Sequence, residues 1–69
     1  MKKYVVEFTS ADNVIEANIT GNWYCESVMS ESYLEAFDLI KEYLIEFGIE
    51  PEEFIFRAKT AEDTEWVYD

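Results

Sequence analysis

The sequence predicts a small α+β domain, a two-layer sandwich in which an antiparallel sheet of three or four strands carries one amphipathic helix on one face. Three observations predict it: apolar residues that alternate through the first 24 positions, a helical apolar stripe in the middle of the chain, and short aromatic-rich segments near its end. A length of 69 residues allows a single domain, residues 1–69, and no second core.

The first half of the chain predicts a β-hairpin. Residues 3–9 read as a strand with Tyr4, Val6 and Phe8 on one face, and residues 10–13 have the Ser, Asp and Asn typical of turns. Residues 14–24 then alternate between apolar and polar positions, which predicts a second strand with one buried and one wet face. Its expected inward residues are Ile15, Ala17, Ile19, Gly21 and Trp23.

A helix is predicted from about Glu31 to Phe47, after a connection over residues 25–30. Ser30 and Ser32 are both candidate N-caps, and Ser32 has Glu35 three residues later, as in a capping box. Gly48 suits the left-handed position just past the end of a helix. The apolar stripe follows a 4-3-4-3 spacing, is widened by Ala36 and Tyr43, and consists of Tyr33, Phe37, Ile40, Leu44 and Phe47.

The last third of the chain predicts one further strand and a possible fourth. Pro51 restricts the residue before it, so the helix cannot continue through residues 49–53. Residues 53–60 predict a strand that turns Phe54, Phe56 and Ala58 toward the core, and residues 65–68 suggest a short fourth strand. The predicted order of elements is therefore β-β-α-β-β.

Composition excludes several classes of function. There are 16 acidic against 5 basic residues, a net charge of −11, with no histidine and a single cysteine. Proteins that bind nucleic acid or anionic membranes do so through an excess of Lys and Arg. Histidine is the commonest general base and metal ligand, and the chain has none. Cys25 is expected to be a semi-buried reduced thiol, and no histidine is present to activate it as a nucleophile. We expect no enzymatic activity, no cofactor and no metal site.

The first residues do not predict export. Glu7 interrupts the apolar run after two valines, too early for a secretory signal, and no stretch of the chain is apolar enough to span a membrane. We therefore expect a complete chain that works in the cytoplasm.

Most of the negative charge lies in the helix and the loop after it. Residues 31–53 contain one lysine and eight acids, a net charge of −7. At about 100° per residue, the helical acids fall within a sector of roughly 80° opposite the apolar stripe, with Leu39 beside it. We call the eight acids the acidic ridge: Glu31, Glu35, Asp38, Glu42, Glu46, Glu50, Glu52 and Glu53.

The ridge predicts a binding surface for a basic partner. In size, charge and helix layout the chain resembles small DNA-mimic inhibitors of the anti-restriction and anti-CRISPR kind, which are common in phages and mobile elements. This resemblance implies a non-enzymatic inhibitor whose acids oppose the Lys and Arg of a nucleic-acid-binding enzyme or complex. Leu39 is either an apolar anchor for that contact or a residue packed under a loop.

Other interpretations fit the same residues. An acidic outer face is also the ordinary solvated face of an amphipathic helix, where excess Glu confers solubility. The chain is then a small accessory domain, either a monomer or a homodimer through an aromatic sheet face with Trp66 and Tyr68. A third interpretation is an antitoxin-like or regulatory partner of a basic protein. Arg57 and Lys59 are expected to pair across strands with Glu7 or Glu16.

Overall fold

The computed structural model describes all residues 1–69 and places the first strand inside a four-stranded sheet. The strands are β1 (Lys2–Ser10), β2 (Tyr24–Ser30), β3 (Phe54–Lys59) and β4 (Val67–Tyr68), in the spatial order β2-β1-β3-β4. Every neighbouring pair is antiparallel. The predicted α+β class, with its antiparallel sheet and packed helix, is confirmed.

The core lies between β1, β3 and the long helix α2 (Tyr33–Glu46). Successive side chains of a strand point to opposite faces, so the alternation in β1 turns one set of residues toward α2. The helix contributes its own stripe at helical spacing. The buried cluster consists of Tyr4, Val6, Phe8, Ala36, Phe37, Ile40, Leu44, Phe56 and Ala58.

The ends of α2 follow from local chemistry. Ser32 has extended backbone (φ −153°), and its Oγ accepts a hydrogen bond from the Glu35 backbone N–H at 3.1 Å. This satisfies one of the amide groups that a helix start leaves free. Gly48 has φ +78° and follows the last turn, as predicted. Of the two candidate caps, Ser32 is therefore the one used, and the helix begins two residues later than expected.

The predicted strand over residues 14–24 is wrong. Val14–Thr20 form a short helix, α1, which follows a 3₁₀ turn at Ala11–Asn13 and ends at Gly21, where φ is +75°. Ile15 and Ile19 are 75% and 80% exposed, so they do not face the core. The observed order of elements is consequently β-α-β-α-β-β.

The partner of β1 is instead the segment that was expected to be a connection. Cα pairs run from Lys2–Ser30 to Phe8–Tyr24, so β2 accompanies β1 over seven residues. Pairing with a neighbouring strand stabilises β2 even though its own residues show no clear alternation. The hairpin-like antiparallel pair exists, but its second strand begins ten residues later than predicted.

The last two strands agree with the prediction, with narrower bounds. Phe56 and Ala58 are buried and Phe54 is half-buried against the core. The fourth strand contains only two residues and pairs with Arg57 and Ala58. Neither helix has the length and apolar character needed to cross a bilayer.

Candidate functional site

The four ridge acids on α2 form a row on its solvent side. Glu35, Asp38, Glu42 and Glu46 are all exposed, while the opposite side of the helix packs into the core. Their spacings of three and four residues, at a rise of about 1.5 Å per residue, repeat the carboxylates every ~4.5–6 Å. The helix backbone thus holds these charges at a regular pitch on a convex surface.

The other four ridge acids flank this row at both ends of the helix. Glu31 precedes the N-cap, so it lies outside the helical repeat on which it was predicted. Glu50, Glu52 and Glu53 follow the helix, where residues Pro51–Glu53 form a 3₁₀ turn. All four are exposed.

No ridge acid takes part in an ion pair. The chain has three ion pairs, and each uses an acid outside the ridge: Lys2 with Glu62, Lys41 with Asp69, and Arg57 with Glu7. A fourth cation, Lys59, lies 4.5 Å from the ring centroid of Trp66. The negative charge of the ridge is therefore not neutralised by the chain itself.

Apolar side chains border the ridge. Leu39 is exposed beside the acidic row, whereas Leu34 and Ile45 are exposed on its other side. At the end of α2 an open cleft of about 520 Å³ lies between Ile45 and Pro51. A partner that binds the ridge can therefore bury apolar surface as well as meet charge.

Two residues placed in the predicted core stripe lie outside it. Tyr43 is 46% and Phe47 67% exposed, and their rings pack edge to face with centroids 5.0 Å apart. Both lie with Leu39 along one side of α2, at successive intervals of four residues. We call these three residues the apolar flank. The spacing is visible in the sequence, but it is compatible with either burial or exposure.

The opposite face of the sheet centres on Arg57. Glu7 pairs with it, with Nη2 and Oε1 2.6 Å apart, which confirms one of the two predicted cross-strand partners. Its guanidinium carbon lies 3.9 Å from the ring centroid of Trp23 and 4.3 Å from that of Trp66. Trp66, a candidate interface residue in the sequence, is thus stacked within the chain.

Cys25 is exposed on β2, whereas a semi-buried thiol was expected. Partial desolvation, together with the carboxylates of Glu7 and Glu26, raises the pKa of this thiol. A raised pKa keeps the sulfur protonated near neutral pH, where the thiolate is the reactive form. No three acidic or cysteine side chains converge closely enough to hold a metal ion.

No model of a known protein family, no curated protein sequence and no solved structure matches this chain. The ridge contains eight of the 16 acids, none of them paired with a cation, and its helical members lie on a convex surface. A convex array of carboxylates is suited to binding cations in the groove of another protein, whereas acid–base catalysis needs a cleft that shifts the pKa values of its carboxyls.

Proposed function

We propose that this chain is a non-enzymatic inhibitor that binds a basic, nucleic-acid-handling protein in the cytoplasm through its acidic ridge. The observation that supports this best is the absence of any cation paired with the eight ridge acids, although the chain has five basic residues. Solubility does not require exposed acids to lie in a single row. Binding in a charged groove of a partner does require such an arrangement.

Geometry makes a nucleic-acid groove the best fit for the partner. Phosphates of one DNA strand are about 7 Å apart along the backbone, with a rise of 3.4 Å per base. Carboxylates on one side of an α-helix repeat at ~4.5–6 Å, which is close enough to engage the same Lys and Arg side chains. DNA-mimic inhibitors of phages and mobile elements act in this way, and we place the chain in that functional class.

Leu39 and the centre of the row supply the expected contact. Glu35, Asp38 and Glu42 lie next to Leu39, on one side of it, on the exposed part of α2. Charge steers the approach and raises the association rate, and burial of the leucine slows dissociation. Such an interface is weakened by salt because the charges remain near solvent.

The test compares two triple variants of equal net charge. The first changes Glu35, Asp38 and Glu42 to Lys, and the second changes three exposed acids outside the ridge and its ion pairs, Asp12, Glu16 and Glu65, to Lys. Immobilised wild type and both variants are used to capture proteins from the lysate of the source organism at low and high salt. The captured protein is then purified, and its binding to duplex DNA is measured with increasing amounts of each chain.

The proposal expects wild type and the second variant to displace DNA and the first variant to fail. Displacement should weaken as salt rises. If both variants lost the ability to displace DNA equally, net charge alone would explain the binding. If both retained it equally, the ridge would be excluded as the binding surface.

A further inference from the structure

The sheet has one long free edge. Strand β2 is the first in the order β2-β1-β3-β4, so one side of its seven residues has no neighbouring strand. The opposite edge is formed by β4, which contains only two residues. An unpaired edge presents backbone N–H and C=O groups that can pair with another chain, and short edge strands reduce that tendency. The two edges therefore differ strongly in their capacity to pair.

Strand β2 has few of the features that protect natural edges. It contains no proline and no lysine, and its only charge is Glu26. Protected edges commonly use those residues, an inward-pointing charge or a bulge. Strand β2 has only the charge, because Glu26 lies opposite Val6 on the helix side of the sheet and the register with β1 is uninterrupted. Tyr24 is 66% and Met29 54% exposed, so apolar side chains lie at both ends of the edge.

The apolar flank lies on the same side of the molecule as this edge. Lys41, on the other side of α2, reaches over the ring of Phe56 in β3. At about 100° per residue, Leu39, Tyr43 and Phe47 therefore project on the side of β2. No charged residue of α2 lies within the apolar flank, since the ridge acids occupy the neighbouring sector of the helix.

We propose that a second copy of this chain pairs with it antiparallel along β2, about a two-fold axis at Ser27, to form a continuous eight-stranded sheet. Pairing about Ser27 uses all seven residues of the strand. It places Glu26 opposite Val28 of the second copy and Cys25 opposite its Met29. No carboxylate then lies directly opposite another. The two Glu26 side chains are diagonal neighbours on the helix side of the sheet, about 7–8 Å apart, and their repulsion adds to that of the net charge.

Both long helices lie on the same face of this extended sheet, because the two-fold axis is perpendicular to it. Each α2 runs antiparallel to its own β2, since Tyr33 at its start packs on Tyr4, the partner of Val28, and Leu44 near its end lines a pocket with Tyr24. Leu39 lies midway between these levels, near the centre of β2, so the two apolar flanks meet across the axis. The exposed parts of Tyr24, Tyr43 and Phe47 offer roughly 300–400 Å² per copy, from a full ring area of about 200 Å² each. With the paired strands, the area falls at the small end of specific interfaces.

Leu39 belongs to both proposed surfaces, so the dimer and the partner complex exclude each other there. The dimer does not depend on the proposed function, and salt separates the two. Each copy has a net charge of −11, so electrostatic repulsion opposes self-association. Added salt screens that repulsion and should strengthen the dimer. Binding of a basic partner to the ridge should respond in the opposite direction.

Sedimentation equilibrium of the full chain tests the association. We expect an equilibrium between 8.2 kDa monomer and dimer, with a dissociation constant on the order of 10–100 µM that falls as salt rises. Ser27→Lys brings two cations together at the axis and should weaken the dimer at least about tenfold. Asn18→Lys, on the exposed surface of α1, makes the same change in charge and should not weaken it.

A crosslink tests the register independently. In Met29→Cys, each new thiol lies opposite Cys25 of the second copy, at the ~4.5–5.5 Å Cα separation of paired residues, and mild oxidation should give a covalent dimer. Cys25 and its own copy across the axis are four residues out of register, about 13 Å apart, so wild type should crosslink poorly. Circular dichroism establishes that each variant is folded. A chain that stays monomeric at about 1 mM in high salt, a dimer unaffected by Ser27→Lys, or a Met29→Cys variant without crosslink would each overturn the proposal.

Discussion

Arg57 holds Glu7 with two nitrogens, Nε at 2.9 Å and Nη2 at 2.6 Å from the same carboxylate oxygen. The two residues face each other directly across β3 and β1, and both side chains are mostly buried. Their surroundings explain the burial, because the guanidinium is stacked between the rings of Trp23 and Trp66. This cluster fastens the segment after α1 and the segment before β4 to the outer face of the sheet.

Replacement of Arg57 by Met should lower the free energy of unfolding by about 2 kcal/mol, since it removes two cation–π contacts and leaves Glu7 unpaired. Urea unfolding of both proteins measures the change. Lys2→Met is the control, because Lys2 and Glu62 form an exposed pair whose loss should have little effect on stability. Similar losses in the two variants would contradict a stabilising role for the Arg57 cluster.

Tyr33 should lose its proton only at strongly alkaline pH. Its hydroxyl donates a hydrogen bond to Asp63 Oδ2, and this bond raises the pKa of Tyr33 to about 12. The same bond, with the Thr60 backbone N–H, lowers the pKa of Asp63. Ultraviolet titration of the phenols should show one late component near pH 12 that is absent in Tyr33→Phe. Identical curves would show that the hydrogen bond does not persist in solution.

The two shifts act on stability at opposite ends of the pH scale. The raised pKa of Tyr33 favours the folded state below about pH 10, the ordinary phenol value, and that contribution is lost as pH rises through about 12. The lowered pKa of Asp63 contributes above its ordinary value of 3.8 and is lost as pH falls further. Unfolding free energy measured against pH should therefore vary less in Tyr33→Phe than in wild type over both ranges.

The sequence predicted the parts of the fold where burial and local chemistry agree. In β1 and β3 one face is buried, so alternation identifies the strand, and in α2 the cap, the stripe and Gly48 mark the same helix. Residues 14–20 differ because Ile15 and Ile19 are exposed and their spacing is uninformative about burial. The capping residues mark this helical segment better than the alternation does. The Ser10 hydroxyl accepts a hydrogen bond from the Asp12 backbone N–H, and α1 ends at Gly21, eleven residues after Ser10.

The ridge could be predicted more fully than the apolar flank. Acidic side chains stay in water wherever the helix places them, so their exposure follows from the helical angle alone. Tyr43 and Phe47 suit a core equally well, and only the position of α2 over the sheet decides which part of its apolar stripe is covered. Strand β2 could not be predicted from its residues, because as an edge strand it depends on β1 for its conformation.

Ser32 should contribute measurably to the stability of α2. In Ser32→Ala the Glu35 N–H loses its acceptor, and the free energy of unfolding should fall by about 1 kcal/mol. Ser10→Ala is a matched control, since Ser10 caps only a three-residue turn through a longer bond of 3.3 Å to the Asp12 N–H. Urea denaturation measures the free energy of unfolding of both variants. A larger loss in Ser10→Ala than in Ser32→Ala would contradict the role of Ser32 as the N-cap that stabilises α2.

The ridge should reduce the stability of the isolated chain. Asp38 lies three residues after Glu35 and four before Glu42, and like charges at these spacings cost a few tenths of a kcal/mol per pair. Asp38→Lys replaces both repulsions by attractions, so the free energy of unfolding should rise by about 0.5–1 kcal/mol at low salt. Glu16→Lys on α1 makes the same change in net charge without those neighbours and should gain less. The difference between the variants should disappear at high salt, because screening acts on exposed pairs. If Asp38→Lys were instead destabilising at low salt, the carboxylate of Asp38 would have a favourable partner within the chain, and the ridge would no longer be an unpaired surface.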